Sequence, residues 1–487
     1  MNLSLVSARR SIDDYLSPIL VKELRQGMRG RIFVTFFLLL QAFLFMLTFL
    51  NVAALDDRSQ IQTQNGFFWV IVGFALIALM PLRGLAALAM ETKNRTMETI
   101  LLTRLTAWRV VFGKWAALFG QSLLFVSAVL PYIVLRYFIG GQEVVQDLLV
   151  LLLLLWFSGL LIAAAIAVSA VGNPVIRVIL VIVSFVALQS LPFSFAFRGW
   201  SSFGSGPEVI AWLVDYGFFL PALLFQLAAS SIAPAAENHA IWRRLLALGF
   251  FAASLAIDKY FHYGNSTAAI LPYILLCGTC YYELSEKPAL SFRMVDSFAR
   301  RGTLGKISSF FLLPGWPSAL LFTLAVLPPG AWLLYLKVSH DSVGWYLMLM
   351  AILGSVLPPV YICHAFVPRL KQVLLMVLLY NALIMGAAAL LEGVASVAHG
   401  MLYLGIGRVF AFLPSLPALF MGSVVDDRIF RDLLLWYYAA NSIIVGVFVV
   451  LLLATSLRSH REMLALFRES RARRAVPADA ASTGAVA

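Results

Sequence analysis

Long apolar runs alternate with short, polar, charge-dense stretches along nearly the whole chain. The runs are about 17–25 residues, the length a helix needs to cross roughly 30 Å of hydrocarbon. Helices are the natural spanning element, because lipid offers backbone N–H and C=O groups no partners. The pattern predicts about twelve transmembrane helices, near residues 32–55, 67–90, 110–138, 148–171, 174–195, 209–232, 245–261, 268–282, 318–336, 345–366, 373–391 and 433–457. The seventh and eighth are short. The stretch 401–421 is apolar but broken by Pro414 and Pro417, and it reads as a re-entrant or interfacial hairpin within an outer segment, 393–432.

Two polar stretches carry helical periodicity of their own. In "SPILVKELRQGMRGR" Ser17 suits an N-cap and Pro18 the first helical position. Leu16, Ile19, Leu20, Leu24 and Met28 form one apolar stripe, with Lys22, Arg25 and Arg29 on other faces, as in a helix lying in the membrane interface. In "METKNRTMETILLTRLTAWRVVFGK", between the second and third runs, Met97, Ile100, Leu101, Leu105 and Trp108 fall at helical spacing. That face can lie on lipid headgroups, or it can bury in a groove on a soluble partner, with Glu91, Lys93, Arg95 and Glu98 setting orientation.

Composition agrees with the pattern: 487 residues, 61% hydrophobic, 12% charged, mean hydropathy +0.90. A soluble chain of that make-up would lack the polar surface to stay dispersed. With the N-terminus in the cytoplasm and twelve spans, about 28 of the 36 Lys and Arg fall on the cytoplasmic side, as the positive-inside bias expects. Both termini are therefore expected in the cytoplasm of a multi-pass protein of the cell inner membrane. The net charge of +12 reports topology and attraction to membrane lipid, not nucleic acid, which would call for a basic soluble domain. No cleavable signal peptide is expected, because the first apolar run follows about thirty polar residues and lacks an A-x-A site. Three cysteines, all inside predicted spans, argue against a disulfide framework, and "CGTC" at 277–280 reads as helix packing.

The expected organisation is a cytoplasmic N-terminus with an interfacial helix (1–31), a first six-helix half (32–233), a cytoplasmic linker (234–244), a second six-helix half (245–457) and a basic cytoplasmic tail (458–487). The tail reads as helical to Arg474 and as too poor in apolar bulk to fold beyond it. Six spans per half give both halves the same orientation, so any internal symmetry is a parallel repeat. After its second span the second half carries a cytoplasmic segment, 283–316, with Glu286, Arg300, Arg301 and Gly305–Lys306, to set beside Gly113–Lys114 in the first.

The ordered set "PILVKELRQGMRGR", "ETKNRTMETILLTRLTAWRVVFGK" and "AVLPYIVLRYFIGG" resembles the permease subunits of ABC transporters of the type-2 exporter class. That family pattern has an interfacial N-terminal helix, a Glu-rich turn, a Gly-Lys, and a third span ending in Pro-Tyr and Gly-Gly. Glu91, Thr96, Met97, Glu98, Leu101, Leu102, Leu105, Gly113, Lys114, Pro131, Tyr132, Gly140 and Gly141 match it, while Arg104 stands where a Pro is common. The likeness covers the first half, about 240 residues; the second half matches only in topology and its Gly-Lys. It implies that about 91–105 is a coupling helix, with Arg95, Ile100 and the matched residues from Glu91 to Leu105, together with Gly113 and Lys114, docking a separate cytoplasmic ATP-binding subunit. Such a chain transports but is not an enzyme. It binds no cofactor itself, and ATP and Mg belong to the partner, since the sequence has no G-x-x-x-x-G-K-[ST] loop. A second permease chain is a further candidate partner.

Pro131 removes a backbone donor from the third span and is a candidate hinge. Arg83 and Arg136, near span ends, are expected to snorkel. Gln41, Gln121, Gln189, Gln226, Asn381 and Asn441 lie within apolar runs, where polar groups hydrogen-bond between helices or line a path; no substrate contact can be singled out. The histidines are scattered and the adjacent Asp pairs lack catalytic spacing. Two rivals to an ATP-driven exporter stand: an ion-coupled secondary transporter, and a non-transporting membrane scaffold that recruits an ATPase.

Overall fold

The computed structural model describes residues 18–53, 58–89, 106–140, 143–171, 177–178, 206–234, 237–260, 269–287, 290–338, 342–366, 373–397 and 427–475. Among them every regular element is helical. The chain forms two compact units, Met1–Ala233 and Pro234–Ala487.

In the first unit, α1 (Pro18–Arg29) is the amphipathic N-terminal helix, closed by Gly30 and followed at once by α2 (Arg31–Ala53). One face of α2 buries Phe33, Leu40, Leu44 and Leu47, while Leu38, Phe45 and Phe49 stay exposed, as a face turned to hydrocarbon would be. Next, α3 (Arg58–Gly73) runs through a π-helical stretch, Phe74–Leu79, into α4 (Met80–Gly84). The Met80 N–H bonds the Ala75 carbonyl, five residues back. Pro81 explains the widening: in a regular α-helix its ring would collide with the carbonyl of Ile77.

The long α5 (Ala107–Gly140) continues without a break past Pro131. It packs with α2, α6 (Val144–Ser169) and α7 (Gly206–Ile232). Small residues on α6 set how close its neighbours come. A Cβ on Gly159 would lie 3.1 Å from the Phe119 ring, and one on Gly84 would lie 3.0 Å from Ala165 Cβ. Trp115 Nε1 donates to the Gly159 carbonyl at 2.9 Å, and the Ser122 and Ser158 hydroxyls meet at 3.1 Å. With apolar lipid outside, such packing and interhelical hydrogen bonds, not expulsion of water, hold helices together.

The second unit contains α8 (Ala240–Tyr260), α9 (Ile270–Leu284), α10 (Phe292–Ala299), α11 (Gly302–Leu312), α12 (Trp316–Val338), α13 (Ser342–Phe366), α14 (Val373–Val397) and α15 (Asp427–Ala475). Here α9 packs against α8 and α12: Tyr273 is buried with its hydroxyl on the Leu327 carbonyl at 3.0 Å, and Gly330 leaves room for its ring. Two left-handed glycines shape the connections, Gly302 (φ 67°) between α10 and α11 and Gly315 (φ 106°) before α12, a conformation other residues adopt at a cost.

Among the described residues nine helices are long and apolar enough to cross a membrane: α2, α3–α4, α5, α6, α7, α8, α12, α13 and α15. The expected spans at 268–282 and 373–391 fall on helices whose apolar stretches are shorter, Ile270–Leu284 and Leu375–Ile384. Apart from 177–178, the expected span at 174–195 lies outside the described residues, as does the hairpin at 401–421. The segment 283–316 holds two helices, α10 and α11. The last expected span and the tail as far as Ala475 are one 49-residue helix, and residues 458–475 contain no Gly or Pro to interrupt it.

Candidate functional site

The expected coupling helix, with Glu91, Arg95, Thr96, Met97, Glu98, Ile100, Leu101, Leu102 and Leu105, lies outside the described residues. Both its flanks are described, and both lead to α1. On the downstream flank, Thr106 caps α5, its hydroxyl accepting from the Arg109 N–H at 3.4 Å. Two turns on, Gly113 and Lys114 are buried, and Lys114 Nζ bonds Glu23 Oε1 of α1 at 3.0 Å. On the upstream flank, Arg83 of α4 donates to the Gly27 carbonyl of α1 at 3.3 Å and to the Gln121 side chain of α5. Gly27 lies in the last turn of α1, where backbone carbonyls lack helical partners and a cation is favoured. Close approach is built in, since a Cβ on Gly27 would meet the Gln121 amide and one on Gly120 would lie 3.1 Å from Leu24. Glu23, Gly27, Arg83, Lys114 and Gln121 thus form a polar joint of α1, α4 and α5.

The sequence reading named Lys114, Arg83 and Gln121 separately and missed Glu23 and Gly27. Glu23 had one signal: it is the sole acid between Pro18 and Arg31. Arg83 bonds within the protein instead of snorkelling alone. So does Arg136, which is buried 3.1 Å from Asp147 with its guanidinium over Phe68 (4.1 Å) and Trp69 (5.5 Å). Asp215 is buried on α7, five residues inside its apolar stretch, and went unremarked in the sequence.

The second unit has a denser charge cluster at its basic end. Glu283, at the end of α9, is fully buried and takes both Arg243 (3.1 Å) and Arg244 of α8. Arg243 also bonds Glu286 at 2.7 Å, and Arg244 bonds the Phe311 carbonyl of α11. Burial pushes the Glu286 carboxyl above its usual range, with Arg243 pulling the other way. His364 of α13 stacks on Trp316 at 4.6 Å and reaches the Leu284 carbonyl.

The amphipathic helix here is α10, entered through Ser291, whose hydroxyl accepts from the Met294 N–H. Its apolar face is covered by the end of α15: Met294, Val295 and Phe298 pack with Met463, Leu464, Leu466 and Phe467. Ser470 donates to Asp296 at 2.7 Å, and Phe310 stacks on His460 at 5.4 Å. Gly305 is wedged in the α10–α11 corner, a Cβ there falling 1.9 Å from the Phe298 carbonyl, while Lys306 is exposed. The Gly-Lys pairs of the two units therefore have different surroundings.

Among the described residues no group of three or more His, Cys, Asp or Glu is placed to hold a metal ion. Cys277, Cys280 and Cys363 are free thiols. In each unit the arrangement joins helices through charged side chains. No family model, no curated protein and no solved structure matches the chain.

Proposed function

We propose that this chain is the permease component of an ATP-binding-cassette exporter in the cytoplasmic membrane, with twelve spans in two halves and both termini in the cytoplasm. A separate nucleotide-binding subunit hydrolyses ATP and grips the coupling helix at about 91–105. The observation that carries this reading is the joint of Glu23, Arg83, Lys114 and Gln121. Both ends of the coupling segment attach to it, so a push there would move α1, α4 and α5 together. A ligand transmits work only if its contacts differ between the end states, and a few hydrogen-bonded charges between helices can exchange partners as a packed core cannot. The ordered sequence resemblance supports the same reading.

Affinity purification of the intact chain tests it: a soluble protein with a Walker A loop should accompany it. Glu98→Lys should leave insertion and yield unchanged but lower the recovery of that partner at least about tenfold, since like charges brought together at an interface cost more than the ~1.4 kcal/mol that a tenfold change requires. Recovery at the wild-type level would count against docking. Transport into vesicles with and without the partner then separates a permease from a scaffold.

Buried Asp215 favours a second reading, an ion-coupled transporter, since ionisable groups within spans mark ion paths. Asp215→Asn should abolish ion-driven uptake on that reading and leave ATP-driven transport intact on the first.

A further inference from the structure

The end of α15 covers α10, but α11 keeps an apolar face open. Leu304 is 77% and Ile307 60% exposed, one turn apart on the same side of α11, while Gly305 and Ser309 face inward. Exposed cations flank this pair: Arg300 and Arg301 before α11, and Lys306 within it. From Lys287 to Lys306 the sequence has five basic side chains and one acid, Asp296, which is engaged by Arg300 and Ser470.

Chain continuity limits how far the end of α11 can lie from the bilayer. Only Leu313, Pro314 and Gly315 separate α11 from α12, whose apolar stretch begins at Trp316. Three residues reach about 10 Å at most, so the end of α11 stays within headgroup depth of the bilayer that α12 enters. Asn238 holds the same end down, donating to the Leu312 carbonyl at 3.1 Å from just before α8. On α8, Trp242 and Leu245 are also exposed, and an outward Trp at a span end is typical of the membrane interface.

We propose that α11 is an interfacial foot that docks on an anionic bilayer leaflet. Leu304 and Ile307 enter the boundary between headgroups and acyl chains, and Arg301 and Lys306 bind phosphate-bearing headgroups. A soluble protein is the weaker occupant, because two aliphatic side chains fall far short of the roughly 800 Å² per partner that a stable interface buries. An interfacial helix needs only a few apolar side chains when basic groups and an adjoining span hold it at the surface. The inference does not depend on the transport reading.

The test places an environment-sensitive nitrobenzoxadiazole label on Leu304→Cys in the full chain, with Ile307→Cys as a second site. The unsubstituted chain, with its three cysteines inside apolar helices, is the labelling control. The protein is reconstituted in phosphatidylcholine vesicles with increasing phosphatidylglycerol. The expected result is blue-shifted emission and quenching by shallow nitroxide lipids, both rising with phosphatidylglycerol. Arg301→Gln and Lys306→Gln should each reduce the preference for the anionic lipid about fivefold. Emission at the aqueous value in every vesicle overturns the proposal. So does insertion indifferent to phosphatidylglycerol, or a shift seen only when a soluble protein is added.

Discussion

The two units secure the amphipathic helix at their basic ends by opposite means. In the first, α1 is held by a few hydrogen-bonded charges, Glu23 with Lys114 and Arg83 with Gln121 and Gly27, around close-approach glycines, with Met28 packed on the apolar core. In the second, the apolar face of α10 is buried by the end of α15, and the neighbouring helices are locked by Arg243, Arg244, Glu283 and Glu286. A single ion pair with a partly exposed carboxylate can change partners at less cost than a fully buried ionic cluster beside an apolar clasp. The first arrangement suits a part that moves, the second a part that stays fixed.

That contrast is broken most directly at Glu283. Removing one member of a buried ion pair leaves its partners uncompensated and typically costs about 3–5 kcal/mol. Glu283→Gln leaves Arg244 with no carboxylate and Arg243 with Glu286 alone, so it should give the largest loss, read as a fall in thermal midpoint of the purified protein and in membrane yield. A midpoint within a degree or two of wild type would mean that the cluster is not what fixes the second unit.

The clasp comes next. Met463→Ala removes a buried side chain from the α10–α15 contact, for which truncation to Ala costs about 2–5 kcal/mol. Because α10 is short and near the surface, the loss should appear as local opening, with amide exchange in Phe292–Ala299 accelerating and the bundle remaining intact. Unchanged protection of α10 would show that the clasp is not what holds it.

How much of this was legible in the sequence depended on range. The stripe of α1 and the apolar stretches could be read because both are local features of the chain. Pairings could not. Glu23 and Lys114 are 91 positions apart, and no periodicity links them. The two Gly-Lys pairs look equivalent on paper, yet Lys114 is an inward ion-pair partner on a long helix and Lys306 projects from a short one. The tail was readable as a helix, but not the fact that Met463, Leu466, Phe467 and Ser470 share a face that meets α10. Arg136 suggested snorkelling because it lies near a span end; its partner Asp147 lies on the next helix.

The smallest expected effect on stability is also the one that separates the units best. Lys114 is 4% exposed, but the Glu23 side chain keeps 27% of its surface, so water already screens part of their bond. Glu23→Gln keeps the shape and a hydrogen-bond acceptor while removing the charge, and should cost about 1–3 kcal/mol, the smallest fall in thermal midpoint of the three. A joint that serves only to hold α1 in place would then show nothing further. A joint that transmits force should show more, because the ion pair fixes which way α1 turns when α5 moves. On the transport reading, Glu23→Gln should uncouple ATP hydrolysis by the bound partner from substrate movement while partner recovery stays at the wild-type level. Glu98→Lys should instead lower the recovery of the partner at least about tenfold. If Glu23→Gln leaves both stability and coupling at wild-type values, the joint is structural decoration and the contrast between a moving and a fixed unit fails.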